Sequence, residues 1–90
     1  MILGRVAGEI HSTIHHPFYD ARKLLVVEKT DPTGRATGDY LVAVDAVDAG
    51  VGDAVLVLDE GNGARQVLAS SHGPVRSVVV GIVDRVDLGR

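Results

Sequence analysis

Apolar residues along the chain fall in short runs dominated by Val, with Ile and Leu, separated by Gly, Pro and Asp. Runs of β-branched residues between such breakers predict strands. The first predicted strand is Met1 to Ile10, where Ile2, Gly4, Val6, Gly8 and Ile10 alternate with Leu3, Arg5, Ala7 and Glu9. A loop containing Pro17 follows, from about Ser12 to Ala21. The second strand is Lys23 to Lys29. Asp31-Pro32-Thr33-Gly34 predicts a tight turn, because Pro presets φ and Gly accepts a left-handed backbone after it. The third strand runs from Tyr40 to about Val47, and Ala49-Gly50-Val51-Gly52-Asp53 breaks it. Ala54 to Leu58 makes the fourth strand and Val78 to Val86 the fifth.

Between the fourth and fifth strands the period changes. Asn62 is placed to cap a helix from Gly63 to Ser70, with Ala64, Val67 and Leu68 on one face. Ser71-His72-Gly73-Pro74 ends it. A helix this short is expected to plug one end of a sheet or barrel. Five short strands with one short α-helix between strands 4 and 5 predict an all-β fold, a small five-stranded barrel.

A barrel interior takes only one face of each strand. Here several strands are apolar on both. The second offers Leu24 and Val26 on one side, with Leu25 and Val27 on the other. The third offers Val42 and Val44 against Leu41, Ala43 and Val47, and the fifth Val78, Val80 and Ile82 against Val79 and Val83. One short helix cannot cover the outer faces, so the pattern predicts self-assembly.

Size points the same way. Ninety residues make one small domain, residues 1–90, and a domain of that size is marginal alone. With no Cys there is neither a disulfide nor a Cys-containing zinc site to support it, which leaves oligomerisation. The lack of Cys fits a reducing compartment. No leader is visible at the start, since Glu9 interrupts any apolar stretch, and no apolar run is long enough to span a membrane. A cytoplasmic protein is expected.

The formal net charge of −3 argues against a nucleic-acid or anionic-membrane surface, which needs clustered Lys and Arg. Only Phe18, Tyr19 and Tyr40 are aromatic, too few for a base-stacking platform. A module that binds single-stranded nucleic acid is therefore the second functional reading, and a metal-dependent enzyme or ligand binder the third. For that third reading, His11, His15 and His16 lie close together with His72 far along the chain, but no HExxH and no Cys partner accompanies them. Gly50-Val51-Gly52 and Gly61-Asn62-Gly63 lack the Lys-Ser/Thr ending of a phosphate loop. Asp45 and Asp84 end apolar strands, where a carboxylate either serves in acid–base chemistry or accepts backbone N–H bonds and fixes a turn. Nothing supplies the other members of a catalytic set. No catalytic residue, cofactor or metal is expected.

Several segments in order resemble one family. They are Gly4-Arg5-Val6-Ala7-Gly8, Ser12-Thr13, Lys23-Leu24-Leu25-Val26-Val27, Ala43-Val44-Asp45, Ala49-Gly50-Val51-Gly52-Asp53 leading into Val55-Leu56-Val57, Gly63-Ala64-Arg65-Gln66, and Val80-Gly81-Ile82-Val83-Asp84. The set is similar to the EutN/CcmL family of bacterial microcompartment vertex proteins. The resemblance implies an OB-like five-stranded barrel and a cyclic homopentamer at the vertices of a polyhedral shell whose facets are hexameric shell proteins. It implies a structural role, with no enzyme activity, in a microcompartment shell within the cytoplasm. Asp48, Ala49, Gly50 and Val51 are the candidates for the five-fold axis. Asp45, Gly52, Asn62, Gly63 and Arg65 are the candidates for turns and the helix start. Asp48 departs from the family pattern, which often has Gly there, and so does Asn62-Gly63, where a Ser-rich turn is common.

Overall fold

A computed structural model describes residues 1–10, 23–60 and 77–88. Five strands form within them: β1 (Ile2–Ile10), β2 (Leu24–Thr30), β3 (Ala36–Asp45), β4 (Ala54–Asp59) and β5 (Ser77–Ile82). They close into a barrel in the order β1-β2-β3-β5-β4. Every neighbouring pair is antiparallel except β3 and β5, which run parallel over Val44↔Val78 and Asp45↔Val79. The predicted all-β barrel is present. The predicted helix after Asn62 and the His-containing loop lie outside the described residues.

The interior is filled by small branched side chains. Val6, Leu25, Val27, Ala43, Val55, Val57 and Val79 are buried together, with Ala49 from a loop. Each buried Val or Leu contributes up to about 1.5–3 kcal/mol on the usual area scale. Gly4 is the one interior position on β1 where no side chain fits. A Cβ there would lie 2.4 Å from Val27 Cγ1 and 2.8 Å from the Glu28 carbonyl oxygen.

Three register shifts interrupt the strand pairs, one of them between Glu28 and Thr30 of β2, and the two in β1 and β5 correct the simple alternation expected from the sequence. In β1, Val6 pairs with Val27 but Gly8 pairs with Val26. Directly paired residues share a face, so the extra residue at Ala7 turns Gly8 and Ile10 to the side opposite Gly4 and Val6. In β5, Val79 pairs with Val57 but Gly81 pairs with Leu56. Val80 is the extra residue, and Ile82 falls opposite Val55 rather than continuing the row of Val78 and Val80.

Two strand ends also differ from expectation. β3 begins at Ala36, which pairs with Thr30 of β2 although Ala36 to Asp39 shows no strand-like run of apolar residues. β5 ends at Ile82 instead of Val86. Between β2 and β3, the Asp31 carboxylate accepts the Thr33 and Arg35 N–H groups and the Thr33 hydroxyl. The Thr33 hydroxyl and the Arg35 N–H hold this carboxyl below the usual aspartate range. Gly34 supplies the left-handed φ of 88° that closes the turn.

The outer wall is apolar as well. Val44 and Val78 are buried with Leu24, Leu58 and Val80 packed against them, on the side opposite Leu25 and Ala43. Elsewhere Tyr40, Val42, Val51 and Ile82 stay exposed.

Candidate functional site: a braced loop between β3 and β4

The loop from Asp45 to Asp53 holds most of the candidate residues, and two carboxylates brace it from its ends. Asp45 closes β3. Its Oδ1 accepts the Val47 N–H at 3.1 Å and its Oδ2 the Ala49 N–H at 3.0 Å. At the other end, Asp53 Oδ2 accepts the Gly50 N–H at 2.8 Å, while the Asp53 N–H donates to the Gly50 carbonyl at 3.0 Å. Short acidic side chains suit this work because they reach backbone N–H groups two to four residues away.

Lys23 ties the loop to β2. Its Nζ donates to the Ala49 carbonyl at 2.7 Å and to Asp48 Oδ1 at 3.3 Å. It also lies 3.2 Å from Asp45 Oδ2 and 3.7 Å from Glu9. Pairing places Glu9 opposite Leu25, so Lys23, Asp45 and Glu9 follow the inward parity of Leu25 and Ala43 at one end of the barrel. The Asp45 side chain is only 3 % exposed, so its charge needs this ammonium and the two N–H groups. β1 holds the far side of the loop. The Gly52 N–H donates to the Val6 carbonyl, the Val6 N–H to the Asp53 carbonyl, and Arg5 Nη1 to the Gly52 carbonyl at 2.8 Å.

The Lys23 ammonium titrates above the ordinary lysine value. Partial burial pulls it down, but hydrogen bonds and charge from Asp45 and Asp48 outweigh that. A raised lysine pKa gives stability that is fully present below the unfolded value, roughly pH 10.4, and lost as pH rises through the folded value. Thermal unfolding followed against pH is expected to show an alkaline loss that Lys23→Met flattens. Equal alkaline slopes in the two proteins would remove this role from Lys23.

The backbone explains the residue types. Asp48 has φ of 58°, the left-handed region that Asp and Asn tolerate better than other side chains. Gly52 has φ of 95°. Asp48 stands where a Gly was noted as common in the family, and its side chain is fully exposed toward solvent. Ala49 does the opposite. It is fully buried in the barrel core, so its side chain is not available to line an axis. Gly50 is half-buried, and Val51, 66 % exposed, is the apolar tip.

The other sequence candidates divide as follows. Asp84 is exposed beyond the end of β5. Asn62, Gly63 and Arg65, and His11, His15, His16 and His72, lie outside the described residues. Among the described residues no three His, Cys, Asp or Glu side chains are grouped to hold a metal ion. Lys23, Asp53 and Arg5 were not singled out from sequence as loop braces. Asp53 carries a signal, a carboxylate three residues after Gly50. Lys23 and Arg5 carry none, since their partners are distant in the chain.

Residues 1–84 match the family model described as ethanolamine utilisation protein EutN/carboxysome. The chain belongs to the EutN/CcmL family. The bacterial microcompartment shell vertex protein EutN of Escherichia coli K12 is 43 % identical over 89 residues, covering 99 % of this chain and 93 % of the relative. The carboxysome shell vertex protein CcmL of Gloeobacter violaceus is 39 % identical over 88 residues, covering 98 % and 87 %. Among solved structures, the GrpN pentameric microcompartment shell protein of Rhodospirillum rubrum superposes with a TM-score of 0.86 at 38 % identity, covering 99 % of this chain and 100 % of that one. Gloeobacter violaceus CcmL superposes with a TM-score of 0.89 at 39 % identity, covering 98 % and 90 %.

Proposed function

We propose that this chain is a structural protein that forms a homopentamer at the vertices of a bacterial microcompartment shell inside the cytoplasm. One observation carries the reading. The chain matches the GrpN pentameric shell protein over 99 % of its own length and 100 % of that protein's. The surplus of outer apolar surface supports it, because a five-fold ring hides what a single copy leaves wet. Hexameric shell proteins are the expected neighbours: six-fold tiles alone stay flat, and five-fold units supply the curvature that closes a polyhedron.

Within the ring, the tip of the braced loop is the segment proposed to approach the five-fold axis, through Asp48, Gly50 and Val51. Its rigid backbone and small residues allow five copies to converge. Light scattering after size-exclusion chromatography is expected to give a mass near five times 9.4 kDa. Gly50→Trp is expected to break the ring and leave the protomer folded, since a Cβ at Gly50 meets only Asp53 Oδ2 at an ordinary 3.9 Å. An unchanged pentamer for that variant would move the axis elsewhere. A monomeric wild type would end the proposal.

A further inference from the structure

Beyond Ile82 the chain leaves the barrel, and among the described residues no strand pairs with it. The last sheet-type bond runs from the Val83 N–H to the Ala54 carbonyl at 2.8 Å. Asp84 to Leu88 then continues exposed. The chain bends at Asp84, and beyond it Arg85 and Asp87 pair with each other at 2.9 Å. Val86 and Leu88 fall on the alternate positions, 41 % and 49 % exposed. Arg85 and Asp87 neutralise each other, while Val86 and Leu88 stay uncovered next to the exposed Asp84.

A second apolar patch sits on β3. Tyr40 and Val42, two residues apart on one face, are 57 % and 50 % exposed. They pair with Glu28 and Val26 of β2, on the outer side of the wall. A cyclic ring uses a head-to-tail interface, which needs two different patches on every copy. Among the described residues, the exposed large apolar side chains supply two such groups, Tyr40 with Val42, and Ile82 with Val86 and Leu88, while Met1 and Val51 belong to other segments. The end segment also leaves an open groove of about 410 Å³ beside the β2–β3 turn, where Val83, Val86 and Leu88 alternate with the charged Arg5, Asp84 and Arg85.

Resting on the pentameric reading, we infer that residues 83–88 form an arm that packs across Tyr40 and Val42 of the next copy in the ring. The occupant of the groove is that copy's Tyr40 side. An aromatic ring with a hydroxyl at its tip suits a groove lined by apolar and charged side chains together. The arm's exposed apolar side chains are then covered between copies rather than within one.

The chain has no cysteine, so placed thiols report cleanly. Val42→Cys and Val86→Cys combined in one chain, treated with a flexible bismaleimide, are expected to give a denaturing-gel ladder from two to five chains. Each variant alone is expected to run as one chain. A ladder absent from the double variant while its native mass remains pentameric overturns the arm and leaves the pentamer standing. In a second test, Val86→Asp with Leu88→Asp is expected to raise the concentration for half-assembly at least tenfold, with the barrel's circular dichroism unchanged. An undiminished ring overturns the arm. A wild type that is itself monomeric instead overturns the pentameric reading beneath it.

Discussion

Gly4→Ala is expected to destabilise the protein by about 3 kcal/mol, at the upper end of the usual cost of overpacking a core. The added methyl would enter a space already held by Val27 Cγ1 at 2.4 Å and the Glu28 carbonyl oxygen at 2.8 Å. Val27 is buried and packed, and the Glu28 carbonyl belongs to a β2 residue paired with both β1 and β3, so neither yields cheaply. At roughly 4–8 °C per kcal/mol for a domain of this size, the midpoint should fall by more than about 10 °C. Gly8→Ala is the matched control on the same strand. Nothing lies within 4 Å of its added Cβ, and its change should stay within about 0.5 kcal/mol. Thermal melts of both at one protein concentration would separate close packing from general loss of glycine. Comparable midpoints for the two variants would show that β1 and β2 move apart at this point at little cost.

Asp45→Ala is expected to cost about 3 kcal/mol. The variant loses two charge-assisted bonds, to the Val47 and Ala49 N–H groups, each worth about 1.5 kcal/mol or more. It also removes the Lys23 partner that lies deepest in the protein. Asp45→Asn keeps one carbonyl oxygen as an acceptor and loses the ion pair, so it should fall between the wild type and Ala. Denaturant unfolding would rank the three. An Ala variant as stable as the wild type would mean that the loop keeps its shape without this brace. Under the proposed function, the same variant should weaken the ring, because the Asp48–Gly52 tip would no longer be held in one conformation.

Much of the barrel is legible in the residues. β1, β2 and β4 announce themselves by Val and Leu between breakers, and the Asp31–Gly34 turn by Pro and Gly. The bulges do not, because Ala7 and Val80 are ordinary apolar residues in unbroken apolar runs. A one-residue slip shows only when the partner strand is seen. The start of β3 is hidden for a related reason: Ala36 to Asp39 joins the sheet through backbone pairing, which leaves no side-chain pattern. At the other extreme, Asp84 to Val86 reads as strand yet lies beyond the last sheet-type bond, from the Val83 N–H to the Ala54 carbonyl. Of the loop, Asp45 and Gly52 could be named from sequence and Ala49 was misplaced. Small size suits convergence at an axis and filling a core equally well, and burial alone distinguishes them. Lys23 could not be found, because its value lies in reaching residues more than twenty positions away.

The loop's bracing has a kinetic consequence. Its fixing bonds all come from the same chain, so a copy meets its neighbours with that surface already shaped. Encounter then requires orientation and diffusion rather than ordering of the segment, and association should fall in the ordinary range of about 10⁵–10⁷ M⁻¹s⁻¹ without a slow conformational phase. Closure of a shell corner would in that case be limited by supply of subunits and not by their rearrangement.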